Sequence, residues 1–257
     1  MRKTIAYFHL PGLFEAYAFY RVFLPLFFEH REYFYDWCAI GSIYGAPSDC
    51  LWAGGRVECS DRTPREVLAL TREYGISARL TLSNSLLRPE HLTDPDCNAL
   101  CRLFQEQNDP QNGAIVHAEL LTQYLKKNYP SLYLVSSTTK VLTDFNDLQR
   151  ELARPEFRYV VPDFRLNRAF DRLAALPQSQ KDKVEFLCNE CCWFGCYDRK
   201  NCYEIVSRQN LGEDCPDHVC VAPDSQSGYR FSKAMENPAF ISVDAVSYTH
   251  LTLPTNR

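Results

Sequence analysis

No stretch of this sequence is apolar for long enough to cross a bilayer. The richest run, Phe14 to Phe28, is broken by Glu15, Arg21 and Pro25, whereas a spanning helix needs about 20 apolar residues in succession. A secretory signal is also missing, because Pro11-Gly12 and Glu15 cut short the apolar run behind Met1-Arg2-Lys3. The expectation is a cytoplasmic protein with no membrane partner. Charge of one sign is scarce as well. Lys and Arg number 28 against 32 Asp and Glu, leaving a net charge of −4, so no broad field draws the chain toward nucleic acid. Neither G-x-S-x-G nor H-E-x-x-H occurs, which removes the nucleophile-elbow and zincin readings. No glycine-rich phosphate turn follows an early strand, which argues against an open dinucleotide-binding sheet.

What the sequence has in abundance is cysteine, 12 residues of it. In a reducing compartment these are poor candidates for structural disulfides, and metal or redox chemistry comes forward instead. Cys38, Cys97 and Cys101 sit among apolar neighbours and read as small buried fillers.

A beat of strand then helix runs along the chain. β-rich runs fall at 4–9, 37–44, 77–83, 113–117, 132–137, 159–163 and 183–189, with helical patterns at 13–29, 63–74, 94–107, 118–128, 144–153, 166–176 and 198–209. Thr63-Pro64 and Asp94-Pro95 have the form of a cap followed by a first-turn proline. Asp144 precedes an apolar stripe of Phe145, Leu148 and Leu152. Strand–helix units at roughly 25-residue intervals predict a parallel sheet. The fold class expected is α/β, a (β/α)8 TIM-like barrel whose last strand–helix unit is missing. It occupies residues 1–245 as a single domain, with a cysteine-rich segment at 188–220. Residues 246–257, VSYTHLTLPTNR, resemble a translated sequencing-adapter tail and are set aside as non-native.

In such barrels the working residues gather where strands end. The predicted strand ends are polar throughout: His9, Tyr44-Gly45, Ser83-Asn84, His117, Ser136 to Lys140, Asp163 and Asn189-Glu190. Ser83, Asn84, Ser136, Ser137, Thr138, Asn189 and Glu190 are the candidate substrate-binding residues. Their hydroxyl, amide and carboxylate groups suit a ligand, or equally a helix cap or a turn. His9 and His117 are candidate bases or ligands, with a satisfied strand-end histidine as the alternative. The densest feature follows the seventh predicted strand. Cys188, Cys191, Cys192 and Cys196 crowd together, with Cys202, Cys215 and Cys220 beyond. Pairs of thiolates two to four residues apart wrap one ion, so zinc and an iron–sulfur cluster are both open.

The stretch Cys188-Asn189-Glu190-Cys191-Cys192 to Cys196, Arg199, Cys202 and Tyr203 resembles the V-N-E-x-C-x3-C-x2-R-x2-H-Y segment of the peptidase U32-like family. Ile43-Tyr44-Gly45 followed by Cys50, and Asn237 to Asp244, resemble two further segments of that family. The resemblance implies a (β/α) barrel. Some members of the family are called collagenase-like proteases, and others act in RNA or ubiquinone hydroxylation with a 4Fe-4S cluster. It further implies Cys50, Cys192 and Cys196 as cluster ligands, with Cys215 or Cys220 as the fourth and zinc as the alternative metal. Cys202 stands where the family has His, and Ser179 stands where the ubiquinone members have another cysteine. The function expected on these grounds is a metal- or iron–sulfur-binding modification enzyme. The alternatives are a peptidase-like hydrolase with a structural zinc site and a non-catalytic binding protein.

Overall fold

The structure is a computed structural model that describes residues 5–55, 62–107, 109–188, 190, 192 and 196–220. The segment before residue 246 and the adapter-like tail both fall, from residue 221 onward, outside the described residues. Six strands, β1 (Ala6–Pro11), β2 (Cys38–Gly45), β3 (Ser77–Leu82), β4 (Gly113–Val116), β5 (Tyr133–Ser136) and β6 (Phe157–Val160), form one sheet in chain order. Every neighbouring pair is parallel. An open doubly wound sheet reverses direction part-way; this one never does.

Side chains prove that the sheet curls. Val160 makes a parallel bridge to Val184, so the segment after β6 occupies a seventh position. On a flat sheet, six spacings of about 4.8 Å would set it about 29 Å from β1. Instead Glu185 Oε2 lies 3.5 Å from His9 Nε2 of β1. The sheet therefore wraps a lumen.

Parity assigns residues to the two faces. On β3, Ala78, Leu80 and Leu82 are fully buried in the main core against the helices. Ser77 and Arg79 point the other way, into the lumen, where both reach the Tyr133 hydroxyl of β5, at 2.7 and 2.8 Å. Arg79 Nη1 also donates to both Glu185 oxygens at 3.0 and 2.7 Å. His9 completes the lumen set, with Nδ1 at 2.8 Å from Ser42 Oγ and Nε2 at 3.4 Å from Arg79 Nη2. Because guanidinium can only donate, Nε2 accepts and Nδ1 carries the proton. Above this polar floor an apolar layer of Ile115, Tyr133, Val135 and Val161 fills the space.

The connecting helices are α1 (Tyr17–Glu29), α2 (Pro64–Glu73), α3 (Pro95–Gln105), α4 (Glu119–Asn128), α5 (Phe145–Leu152), α6 (Phe170–Ala174), α7 (Gln178–Lys181) and α8 (Arg199–Asn210). Thr63 and Glu66 close a capping box on α2, Asp94 caps α3 through the Cys97 N–H, and Asp144 caps α5.

Three expectations need correction. The first helix begins at Tyr17 and not at Leu13, because Gly12 takes φ +93° and the Leu13 N–H is spent on Tyr44 O. The helix expected over 166–176 shrinks to α6, with a 3-10 turn at Phe164–Leu166 before it and α7 after it. The seventh strand is reduced to the Val184 bridge, so the described residues form a partial barrel of six strands and not the seven expected.

The lumen pair generates a stability prediction. Arg79 is 1% exposed, and removing one partner of a buried ion pair strands the other charge at a cost of about 3–5 kcal/mol. Arg79→Met is expected to lower the unfolding free energy measured in urea by that much, with a lower midpoint, and Arg79→Met with Glu185→Met to recover part of it. Equal midpoints for wild type and Arg79→Met would contradict the role given to this pair.

Candidate functional site at the carboxyl-end rim

β4, β5 and β6 end side by side, and their polar termini meet the start of α8. His117 follows β4, with its Nδ1 2.8 Å from Thr139 Oγ1. Thr139 Oγ1 donates to Ser137 Oγ at 2.9 Å, and the Thr139 N–H donates to the same oxygen. Since the threonine proton is committed to Ser137, the imidazole donates from Nδ1 and keeps Nε2 as an acceptor. Burial first, then the Lys140 and Lys200 charges, bring the His117 pKa down to about 4 against the opposing pull of Glu151. The ring is therefore neutral at pH 7. The turn that carries these hydroxyls, Thr138–Lys140, closes on Val141 at φ 52° and ψ 53°. A β-branched residue in the left-handed region is strained, which its surroundings must sustain.

Beside it lies an ionic unit. Asp163, fully buried after β6, accepts from Arg165 Nε at 2.6 Å and Nη2 at 3.0 Å. Arg165 Nη1 in turn donates to the Cys196 carbonyl at 2.6 Å. Arg199, the first residue of α8, binds Glu190 Oε2 through Nη2 at 2.6 Å and the Tyr203 hydroxyl at 2.9 Å, and it reaches Thr138 Oγ1 at 3.4 Å. Its Nε lies 3.7 Å from Asp163 Oδ2, and its guanidinium packs over Phe164 at 4.8 Å. Among the described residues, Arg199 Nε and Nη1 are buried with no hydrogen-bond partner. Burial alone would raise the Glu190 pKa, but the Arg199 charge and the Cys192 N–H hold it below the usual carboxylate range. The turn after β5 joins both halves, since Thr138 touches Arg199 and Thr139 touches His117.

The other predicted residues are spread more widely. The Ser136 hydroxyl donates to Glu151 of α5, so it faces the helical layer. Ser83 is buried, its hydroxyl without a partner among the described residues. Asn84 spends its amide on the Leu51 and Ser207 carbonyls, both at 3.1 Å, and on the Leu86 N–H at 2.9 Å. Asn189 lies outside the described residues, as do Cys59 and Cys191.

A metal cluster requires its sulfurs to converge. Cys50 packs instead against Cys97 of α3, Sγ to Sγ 3.6 Å. Cys192 is buried against Phe164, Cys196 is buried on the rim, Cys215 Sγ lies 3.9 Å from the Ile205 carbonyl, and Cys220 is half-buried. Among the described residues, no three His, Cys, Asp or Glu side chains gather as a metal donor set. The thiols named for a four-iron or zinc centre thus do not fit that group as they stand, and no step is derived through it. Two open grooves, about 460 and 590 Å³, lie away from this rim, beside Lys126 and Arg158 and beside Arg102 and Tyr124. The first of them sits where β5 and β6 begin, the end that serves stability in barrels.

Sequence reasoning overlooked Arg165 and the Arg199–Tyr203 pair as site residues. A signal existed for the second: the two stand four apart on one helical face. It also overlooked Arg79, although Ser-Ala-Arg-Leu-Thr-Leu alternates polar and apolar along the strand.

No protein-family model and no curated protein matches the chain. Among solved structures, that of the U32 peptidase Mk0906 is similar at TM-score 0.49 and 15% identity, over 74% of this chain and 75% of that one.

The buried histidines set a pH dependence. His9, lowered to about 4 chiefly by burial, behaves as His117 does. The unfolded chain takes up these protons near the ordinary histidine value of 6.5 and the folded chain only near 4, so stability falls as pH drops through that window. Urea midpoints are expected to decline from pH 7 to pH 4.5, with a shallower decline in His117→Gln. A flat profile in the wild type would contradict the neutral, buried state of both rings.

Proposed function

We propose that this chain is a U32-like barrel hydrolase that cleaves a peptide-type bond at its carboxyl-end rim. The observation that carries the reading is a neutral imidazole, oriented by two hydroxyls, next to an arginine–carboxylate unit built from the residues of the U32-like motif. Glu190, Arg199 and Tyr203 carry the sequence resemblance, and they are hydrogen-bonded to one another through the Arg199 guanidinium.

In this reading His117 Nε2 takes the proton from a water molecule as that water attacks the amide carbonyl, and returns it to the departing amine. A base that is uncharged at pH 7 suits the first step. Lys200, exposed on the first turn of α8 and near enough to depress the His117 pKa, supplies positive charge for the developing oxyanion. The Asp163–Arg199–Glu190 unit holds the wall of the site rigid and offers Glu190 to substrate N–H groups. A hydroxylation reaction through an iron–sulfur centre has no comparable support among the described thiols.

The test is cleavage of a mixed library of short peptides by the full chain, read by mass spectrometry. Wild type is expected to cut a defined subset, with kcat/KM falling as pH drops toward about 4. His117→Gln is expected to lose about 100-fold or more in kcat with its circular dichroism unchanged. Failure of the wild type to cut any peptide, or equal cleavage by His117→Gln, would overturn the proposal.

A further inference from the structure

We infer that Cys50 and Cys97 are a peroxide-oxidised thiol pair that forms a reversible disulfide, fastening the loop after β2 to the first turn of α3. The two residues are 47 positions apart in sequence, yet their sulfurs stand 3.6 Å from each other in a buried site. Closing that gap to a bond of about 2.05 Å moves the sulfurs by about 1.5 Å in total, within reach of small side-chain rotations. The site is not a simple apolar filler position. The Cys97 thiol lies against the Cys50 sulfur, while the Ala53 N–H donates to the Cys50 carbonyl at 3.0 Å. The contact with Cys97 draws the Cys50 pKa below the ordinary thiol value, against burial and the Asp49 charge. Cys97 is displaced upward, first by its hydrogen bond to Cys50 and then by burial. Cys50, the less deeply buried of the two, takes the attacking role and Cys97 the resolving one.

The chemistry balances with hydrogen peroxide as the oxidant. The Cys50 thiolate attacks one peroxide oxygen, the O–O bond breaks, hydroxide leaves, and a Cys50 sulfenic acid forms. The Cys97 sulfur then displaces the sulfenic oxygen, its proton leaves with that oxygen as water, and the S–S bond closes. Two electrons pass from the sulfurs to peroxide. A dithiol reductant restores both thiols by exchange, its own two sulfurs leaving as a disulfide. Cys50 is 7% exposed, which favours an oxidant as small as peroxide over a protein one.

The loop that would be fastened matters to the rim. Trp52 O accepts from the Asn84 N–H and Trp52 Nε1 donates to His91 O, while Ala53 O accepts from Asn210 at the end of α8. Oxidation therefore locks a segment that contacts both β3's end and α8.

The experiment treats the reduced full chain with hydrogen peroxide, then denatures it, alkylates the remaining thiols and maps the peptides by mass spectrometry. The expected result is a Cys50–Cys97 cross-linked peptide that disappears on reduction. It should persist in Cys101→Ser, the neighbouring thiol one turn along α3. Cys97→Ser should instead leave a Cys50 sulfenic acid that dimedone traps. Full alkylation of both Cys50 and Cys97 after peroxide, or cross-linking of Cys97 to a different cysteine, would overturn the inference. The wild-type measurement decides the matter even if a variant fails to fold.

Discussion

The ion pair between Arg79 and Glu185 is the constraint on which the architecture depends. It joins the third strand to the seventh position of the sheet across the lumen, two charges that a flat sheet would hold far apart. Burying a charge is costly unless its partners are fixed, so this pair is tolerable only when the sheet has curled enough to bring Glu185 home. Tyr133 and His9 take two further hydrogen-bonding positions around the guanidinium. A half-satisfied set would be worse than an apolar lumen. The polar floor thus favours one curvature over many, and the apolar layer above it supplies packing.

The rim inherits its order from that curvature. With β4, β5 and β6 held side by side, His117, the Ser137–Lys140 turn and Asp163 come into register, and α8 needs only to lay Arg199 among them. The strained Val141 is held by a local hydrogen bond from its N–H to Thr138 O and by the position of Lys140, which is paired with Glu151. Strain of this kind survives where both flanks are anchored.

Features set by neighbours in sequence were legible from the residues alone. Thr63-Pro64, Asp94-Pro95 and Asp144 act as helix starts because a cap needs only the next three residues. The strand–helix beat and the parallel order followed from the same local periodicities. Features set by distant partners were not. Ser136 and Ser137 look alike on paper, but parity sends one to α5 and the other to the rim. Asn84 has the chemistry of a ligand-binding amide, and the same chemistry makes it a good tie between backbone segments. The run 183–189 has the composition of a strand, yet pairing is a property of two strands, and among the described residues of the run only Val184 forms a bridge. The cysteines show the limit most plainly, since the family resemblance grouped Cys50 with Cys192 and Cys196, and nothing in the spacing pointed to Cys97, the thiol that it touches.

Asn84 carries a consequence for how the molecule assembles. Its side chain spans 123 positions to reach Ser207, one of the longest separations bridged by a single amide in this chain. Contacts of such range form late, because the intervening chain must surrender its freedom first. During synthesis the mouth above β3 therefore stays unfinished until the last described helix has emerged, and a ribosome-bound intermediate would expose a lumen already shaped but not yet roofed.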